Sequence, residues 1–347
     1  MALPIELRRI VVRAPNWLGD AVMALPAMAA LRRAFADRTL IVAARPSIAP
    51  MFQERTQAEQ DEIVALDAAR EVEQLRAVRA DAIVLLTNSF GSAWVARRGG
   101  VPERWGYGTS GRRLLLTRSV ARPRGRMHQV EYYNALVRGL GLNAPAGILP
   151  RIEATAASRE RAATLLASHG DGRVPHDATF VGFAPGAAYG HAKRWPPDRV
   201  AIVAAQLAQH GVVPVLLGAR DDRDTGRAIE SSFRMPPGGA PLVNLIGATS
   251  LRDLVGVIAR CAAFVSNDSG AMHIAAALGV PLTAIFGPTD ERATAPAGGG
   301  DVILRDVFCR PCMLRECPID HRCMKRIDVD SVLHSVRSHL AIPQQEK

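Results

Sequence analysis

Short, almost wholly apolar runs recur along this chain between longer amphipathic stretches. Arg8–Ala14 (Arg-Arg-Ile-Val-Val-Arg-Ala) predicts a first strand, and the loop Pro15-Asn16-Trp17-Leu18-Gly19-Asp20 leads from it into an Ala/Leu/Met-rich helix reaching about Phe35. Leu40–Ala44, Ile63–Leu66 and Ala82–Leu86 predict further strands with helical stretches between them, and His128–Gly141 predicts a closing helix. Strands that are apolar along their whole length belong to a parallel sheet covered on both faces. The pattern therefore predicts a doubly wound α/β domain.

Residues 143–150 (Asn-Ala-Pro-Ala-Gly-Ile-Leu-Pro) have no periodicity and read as a linker, which places one domain at 1–145 and a second at 146–347. The second series predicts strands at Phe180–Ala184, Val212–Leu217, Leu242–Ile246, Ala262–Ser266 and Leu282–Phe286, with helices near 198–210, 222–232, 250–260 and 270–278. A last helical stretch near Asp328–Leu340 can pack on either half. At 347 residues the chain exceeds the roughly 250–300 at which a single core stops growing. Two Rossmann-like halves are expected to face a cleft with the carboxyl ends of their strands.

Composition alters this picture chiefly through charge. Lys and Arg number 43 against 33 Asp and Glu, a net charge of +10, which raises nucleic acid, anionic membrane and phosphorylated substrates as partners. Most of the excess is local: between Arg97 and Arg126 nine arginines stand against one acid, Glu103. Such a stretch is either a solvated surface or an anion-docking face, with Arg112 and Arg113 as an adjacent pair of guanidinium forks. Nucleic acid stays an open reading, although no zinc finger, RNP-like run or helix-turn-helix pattern accompanies the stretch. Only three of the 43 basic residues are lysines, and of these Lys193 lies inside a motif. Met1–Leu7 holds Glu6, and Ile10–Val12 is far too short for a secretory leader. The most apolar long window, Ala271–Gly287, is broken by His273, Pro281 and Thr283. The expectation is a cytoplasmic chain with no transmembrane segment and, at most, peripheral membrane contact.

The candidate chemistry sits after predicted strands. Gly19 and Asp20 stand where the first loop turns into a helix; Asp20 can cap that helix or act as a general base, and the sequence leaves both open. In Phe183-Ala-Pro-Gly-Ala-Ala-Tyr-Gly-His-Ala-Lys-Arg-Trp-Pro196, Gly186 and Gly190 can free backbone amides for an anion and Lys193 adds a point charge. Arg194 stands where a P-loop needs Ser or Thr, so this is not a P-loop. Ser266-Asn-Asp-Ser-Gly-Ala-Met-His273 opens another helix: the amides of Ser269, Gly270 and Ala271 suit an anion, and Asp268 can cap or accept from sugar hydroxyls. His273 reads first as a packed helix residue. Gly218-Ala-Arg-Asp-Asp222 puts Asp221 where a ribose is often held. Asp222-Arg-Asp224 and Asp328-Val-Asp330 match a loose metal-holding Asp-x-Asp pattern but read as solvated or capping acids. Cys309, Cys312, Cys317 and Cys323, with His321, have spacings that a zinc ion could close, that a plain thiol cluster could fill or that disulfides could use.

In their order and spacing these motifs resemble the lipopolysaccharide heptosyltransferases, most closely the type II branch. The likeness runs from Arg13-x-Pro-Asn-Trp-Leu-Gly-Asp20 through Gly186-Ala-x-x-Gly-x-Ala-Lys-Arg-Trp-Pro196, Asn244-Leu-x-Gly-x-Thr-Ser-Leu251 and Asn267-Asp-Ser-Gly-x-Met-His273. It ends in Pro311-Cys-x-x-Arg-x-Cys-Pro318 and His321-x-Cys-Met324 and covers nearly the whole chain. The resemblance implies a two-domain GT-B fold and an inverting, metal-independent transfer without cofactor, from an ADP-heptose donor to the first heptose of the inner core on Kdo2-lipid A, at the inner membrane surface. It implies Asp20 as general base, Lys193 on the diphosphate, Asp268 on the donor heptose, and Ser269, Gly270 and Ala271 on a phosphate. Gly19, Gly186, Asp221 and His273 are further donor-side candidates, and Arg112 and Arg113 acceptor-side ones. Type I members carry paired threonines where this chain has Ala188-Tyr189, which argues for type II. A type I or III acceptor, another GT-B transferase or sugar-nucleotide epimerase, and a basic nucleic-acid-binding protein are the competing readings.

Overall fold

The structure, a computed structural model, describes residues 7–170, 174–175 and 177–342. Residues 1–6, read above for a leader, lie outside the described residues. Two compact units divide the chain, Met1–Glu153 and Ala154–Lys347.

In the first unit, β1 (Arg9–Arg13), β2 (Thr39–Ala44), β4 (Glu62–Ala65), β5 (Ala82–Leu85), β6 (Glu103–Tyr107) and β7 (Arg118–Val120) form one sheet in the order β4-β2-β1-β5-β6-β7. Every pairing in it is parallel. Ile10–Val12 of β1, Leu40–Ala44 of β2 and the whole of β5 are apolar and buried, as a sheet covered on both faces requires. Helices α1 (Leu18–Met23), α2 (Leu25–Ala34), α3 (Glu71–Val78), α4 (Phe90–Arg98) and α5 (Gln129–Gly139) supply the cover. The first predicted helix is two: Ala24 ends α1 and starts α2, because Pro26 has no amide to continue the ladder and sits where a new helix tolerates it. A short antiparallel pair, β3 (Arg55–Thr56) with β8 (Ile152–Glu153), ties the expected linker to this unit. Gln57 reinforces it by donating to Leu149 O and accepting from Arg151 N. The unit boundary thus falls after Glu153, beyond the 145/146 reading.

In the second unit, β9 (Phe180–Ala184), β10 (Val213–Leu216), β11 (Val243–Asn244), β12 (Cys261–Asn267), β13 (Leu282–Phe286) and β14 (Asp301–Leu304) form a parallel sheet ordered β11-β10-β9-β12-β13-β14. Helices α6 (Ala156–His169), α7 (Pro197–Ala208), α8 (Arg223–Ser232), α9 (Leu251–Ile258), α10 (Gly270–Ala277), α11 (Glu291–Thr294), α12 (Arg322–Lys325) and α13 (Val329–His339) surround it. The last helix, α13, packs against α7 and strands β12, β13 and β14 of its own unit. Val332, Leu333 and Val336 of α13 join Trp195, Val203 and Leu207 in one core. Each sheet reverses its winding once, between β1 and β5 in the first unit and between β9 and β12 in the second. A doubly wound sheet opens a crevice for ligand at such a point.

The Arg97–Arg126 stretch is more structural than its composition implies. Arg112 is fully buried, and its guanidinium donates to Tyr107 O (2.7 Å), Thr87 O (2.5 Å), Ser89 O (3.4 Å) and Ser92 Oγ (3.3 Å). Burial lowers its pKa to about 10. Gly106 leaves the room this requires, since a Cβ there would stand 3.1 Å from Arg112 Nη2. Arg104 likewise donates to the carbonyls of Leu115, Val101 and Pro102. Arg112 is therefore a clip joining the loops after β5 and β6, which corrects its assignment to an anion-docking face; Arg113 remains exposed.

Arg112→Met strands buried carbonyls and should lower unfolding stability by about 2–5 kcal/mol in a urea titration. Arg112→Lys should recover only part of that loss, because an ammonium cannot reproduce the fork. An unchanged midpoint would remove the clip.

Candidate active site

At the crevice of the second unit, the loop after β9 meets the loop after β12. Lys193 reaches from the first and Asp268 from the second, and they pair at 2.6 Å between Nζ and Oδ2, with side-chain exposures of only 11% and 7%. Thr289, in the loop after β13, donates its hydroxyl to the same Oδ2 at 2.6 Å. Both short bonds fall on one carboxylate oxygen, which fixes the ring of loops around Asp268. Lys193 Nζ also approaches Asp268 O at 3.4 Å and lies 4.7 Å from the centre of the Tyr189 ring. An ammonium has three donors, so these contacts orient Lys193 and still leave capacity for an anion.

Helix α10 starts beside this pair. Its N-cap residue, Ser269, makes no capping bond to the first-turn amides, and its hydroxyl lies 3.1 Å from Ser266 Oγ instead. The first turn through Gly270 and Ala271 therefore presents backbone donors that the N-cap side chain does not take, and the positive end of the helix dipole. His273 is buried within α10, on the helix rather than in the loop.

Asn267 clamps the two loops: its Nδ2 donates to Pro185 O at 2.6 Å and its Oδ1 accepts from Trp195 N at 3.3 Å. Trp195 is buried and donates its indole N–H to Ile327 O at 3.1 Å. Gly186 has a steric reason to be glycine besides its reading as an anion-facing amide. A Cβ at Gly186 would stand 2.2 Å from the Asp222 carboxyl carbon, so the glycine makes room for that carboxylate. Asp222 pairs with Arg194 at 3.0 Å and accepts from Ala219 N at 3.1 Å, which makes it a buried loop tie; Asp224 pairs with Arg227, and Asp328 caps α13 by accepting from Ser331 N. Asp221 is exposed at the carboxyl end of β10.

The cysteine-rich segment buttresses the same site. Tyr189 donates its hydroxyl to Met313 O (2.8 Å), Ala192 N donates to Arg315 O (2.9 Å), and Arg310 donates to Gly287 O (2.8 Å) and Thr289 O (3.2 Å). Gly190 is required where Arg315 crosses, since a Cβ would lie 2.3 Å from Arg315 O. Cys309, Cys312, Cys317 and Cys323 are free thiols. Among the described residues, no group of three or more His, Cys, Asp or Glu side chains is placed to hold a metal ion.

The first unit holds the other candidate. Trp17 is the N-cap of α1, which places Gly19 and Asp20 in its first turn; Asp20 is therefore no N-cap. It is half-buried, and its Oδ1 accepts from the Tyr133 hydroxyl at 3.3 Å. Tyr133 is buried on α5, and burial first, then the charge of Asp20, push its pKa well above that of a free phenol. Tyr133 therefore stays protonated and can only donate to Asp20. The loop before α1 is held by Arg13, which is buried and donates to Ala14 O (2.9 Å), Asn16 Oδ1 (3.2 Å) and Glu71 Oε1 (2.7 Å). Tyr133, Thr289 and the clamping role of Asn267 went unread in the sequence. Thr289 stands in Gly-Pro-Thr directly after a strand, and that position was the available signal; Tyr133 meets Asp20 only through the fold.

The sequence profile of glycosyltransferase family 9 (heptosyltransferase) matches residues 69–322. Lipopolysaccharide heptosyltransferase 2 of Escherichia coli K12 is 32% identical over 301 residues, covering 83% of this chain and 85% of that protein. The protein of the same name from Salmonella typhimurium LT2 is 31% identical over 299 residues, with the same coverage. The solved structure of E. coli ADP-heptose LPS heptosyltransferase II superposes with a TM-score of 0.81 at 28% identity, covering 96% of this chain and 98% of that one. Two parallel Rossmann-like sheets, the loops gathered at their switch points and these likenesses agree: the chain belongs to glycosyltransferase family 9, the heptosyltransferases, and is a glycosyltransferase of GT-B architecture.

Proposed function

We propose that this chain transfers L-glycero-D-manno-heptose from ADP-heptose to the first heptose of the lipopolysaccharide inner core, carried on Kdo2-lipid A, with inversion. The observation that carries the reading is the Lys193–Asp268 pair set beside the uncapped start of α10. A cation and a row of open amides suit a diphosphate leaving group, and a carboxylate with one oxygen engaged by its neighbours has the other for a sugar hydroxyl.

The second unit takes the donor. Lys193 and the first-turn amides at Ser269, Gly270 and Ala271 stabilise the charge that develops on ADP as the glycosidic bond breaks, and Asp268 orients the heptose. Asp221, exposed beyond β10, is the candidate for the ribose. The first unit supplies the base. Asp20 takes the proton from the acceptor hydroxyl as it attacks the anomeric carbon, and Gly19 lets the sugar approach the backbone. Tyr133, by donating to Asp20, fixes which carboxylate oxygen faces the acceptor. Arg113 meets the anionic groups of the acceptor. The enzyme works at the inner membrane surface, where its acceptor is anchored. Among the described residues no helix is long and apolar enough to cross a membrane.

The direct test is incubation with ADP-heptose and heptosyl-Kdo2-lipid A, with mass spectrometry expected to show one added heptose; no gain of mass would end the reading. Asp20→Asn should cut kcat by about 10²–10⁴ with ADP affinity retained in calorimetry. Lys193→Ala should cost about 10²–10³ in rate and weaken ADP binding as well. Tyr133→Phe removes a hydrogen bond that favours the ionised base, so the acid limb of the kcat/KM profile should move to higher pH. A profile that keeps its shape would leave Tyr133 a packing residue. Arg113→Glu should raise the acceptor KM and leave the donor KM unchanged.

A further inference from the structure

The first unit carries an apolar and aromatic surface that its core does not use. On α4, Ala93 and Ala96 face inward, in one core with Leu115. The opposite side exposes Phe90 (49%) and Trp94 (44%), four residues apart, with their rings stacked at 6.4 Å. Arg98 lies over the Trp94 ring at 5.9 Å, and Arg97 and Arg98 are both exposed. The short 3-10 turn Arg112–Leu115 packs on α4. Its Leu115 points into the core while Leu114, next to exposed Arg113, stands 90% exposed. Arg112 locks this turn to the start of α4 through Ser89 O and Ser92 Oγ, so the two pieces form one rigid surface.

A surface of this composition has a definite partner. Stacked aromatics and an exposed leucine with exposed arginines beside them in the chain match a bilayer interface, where apolar side chains enter the acyl boundary and guanidinium groups meet lipid phosphates. Position supports it as well. Strands β1, β5 and β6 are parallel, so the loop carrying Asp20, the start of α4 and the 3-10 turn all leave the same edge of one sheet.

We infer that Phe90, Trp94 and Leu114, flanked by Arg97 and Arg98, form a membrane anchor that seats the first unit on an anionic phospholipid bilayer. This rests on the proposed lipid-borne acceptor for its purpose and on the exposed side chains for its mechanism. The arginines supply attraction and the apolar side chains supply hold, so binding has a component that salt does not remove.

The experiment is co-sedimentation with vesicles of phosphatidylglycerol and phosphatidylethanolamine, against phosphatidylcholine alone, at low and high salt. The wild-type chain should pellet with the anionic vesicles and keep part of that binding at high salt. Phe90→Ser combined with Trp94→Ser should weaken binding by about tenfold or more, as should adding Leu114→Ser. The thermal midpoint should shift only slightly, because none of these side chains belongs to the buried core. On a delipidated acceptor the variant should turn over as the wild type does, and on acceptor embedded in vesicles it should be slower. Equal vesicle binding by variant and wild type, binding abolished by salt alone, or a concentration-dependent dimer that the substitutions dissolve would each overturn the anchor. Vesicle binding that follows these substitutions without heptose transfer to any acceptor would overturn the proposed activity and leave the anchor standing.

Discussion

A single carboxylate oxygen, Asp268 Oδ2, receives the Lys193 ammonium and the Thr289 hydroxyl at 2.6 Å each, and much of the second unit serves to keep that junction in place. Three loops leave β9, β12 and β13 at the same sheet edge, and each sends one group to the junction. A buried ion pair adds little net stability, since desolvation offsets its attraction, whereas removing one partner costs about 3–5 kcal/mol. Its value is positional: it fixes the Lys193 ammonium, and with it the loops after β9 and β12, beside the start of α10.

The support for this junction comes from residues that tie its loops to one another. Asn267 spans Pro185 and Trp195, Trp195 anchors in the core under α12 and α13, and the cysteine-rich segment lays its backbone across Tyr189 and Ala192 and reaches Thr289 O with the Arg310 guanidinium. The four cysteines thus sit in a buttress. Arginine does the corresponding work in the first unit, where Arg13 and Arg112 spend buried guanidinium groups on carbonyls and carboxylates. An arginine fork can bind several acceptors held at fixed separations, which a lysine cannot do. That geometry accounts for part of the arginine excess without invoking any partner.

The alternation of apolar strands and helices was legible because a strand buried on both faces must be apolar where it is covered: β5, β9 and β10 are apolar throughout, β1 and β2 over Ile10–Val12 and Leu40–Ala44, and β13 but for Thr283. The edge strands were harder to read. β7 and β14 are partly exposed and carry no such pattern. The end of the first unit was misplaced for a similar reason: only a two-residue pairing of β8 with β3 claims residues that look like linker. Glycines were legible as necessary but not as to why. Gly186 and Gly190 invite a phosphate reading, yet each accommodates another part of the chain, Asp222 and Arg315.

By itself the sequence determined the fold class, the two-unit plan and the loops that hold the candidate residues, because periodicity and loop position are local properties. It also supplied Asp20, Lys193 and Asp268 as candidates, since few residue types can act as a base or hold a diphosphate. What only the tertiary structure decided is which of these groups meet. Lys193 lies 75 residues from Asp268 and Tyr133 lies 113 from Asp20. The burial of Arg112 and the exposure of its neighbours likewise depend on how loops from distant strands close on one another. Charge and spacing in a sequence show what a residue can do; desolvation and contact, set by packing between distant segments, determine what it does.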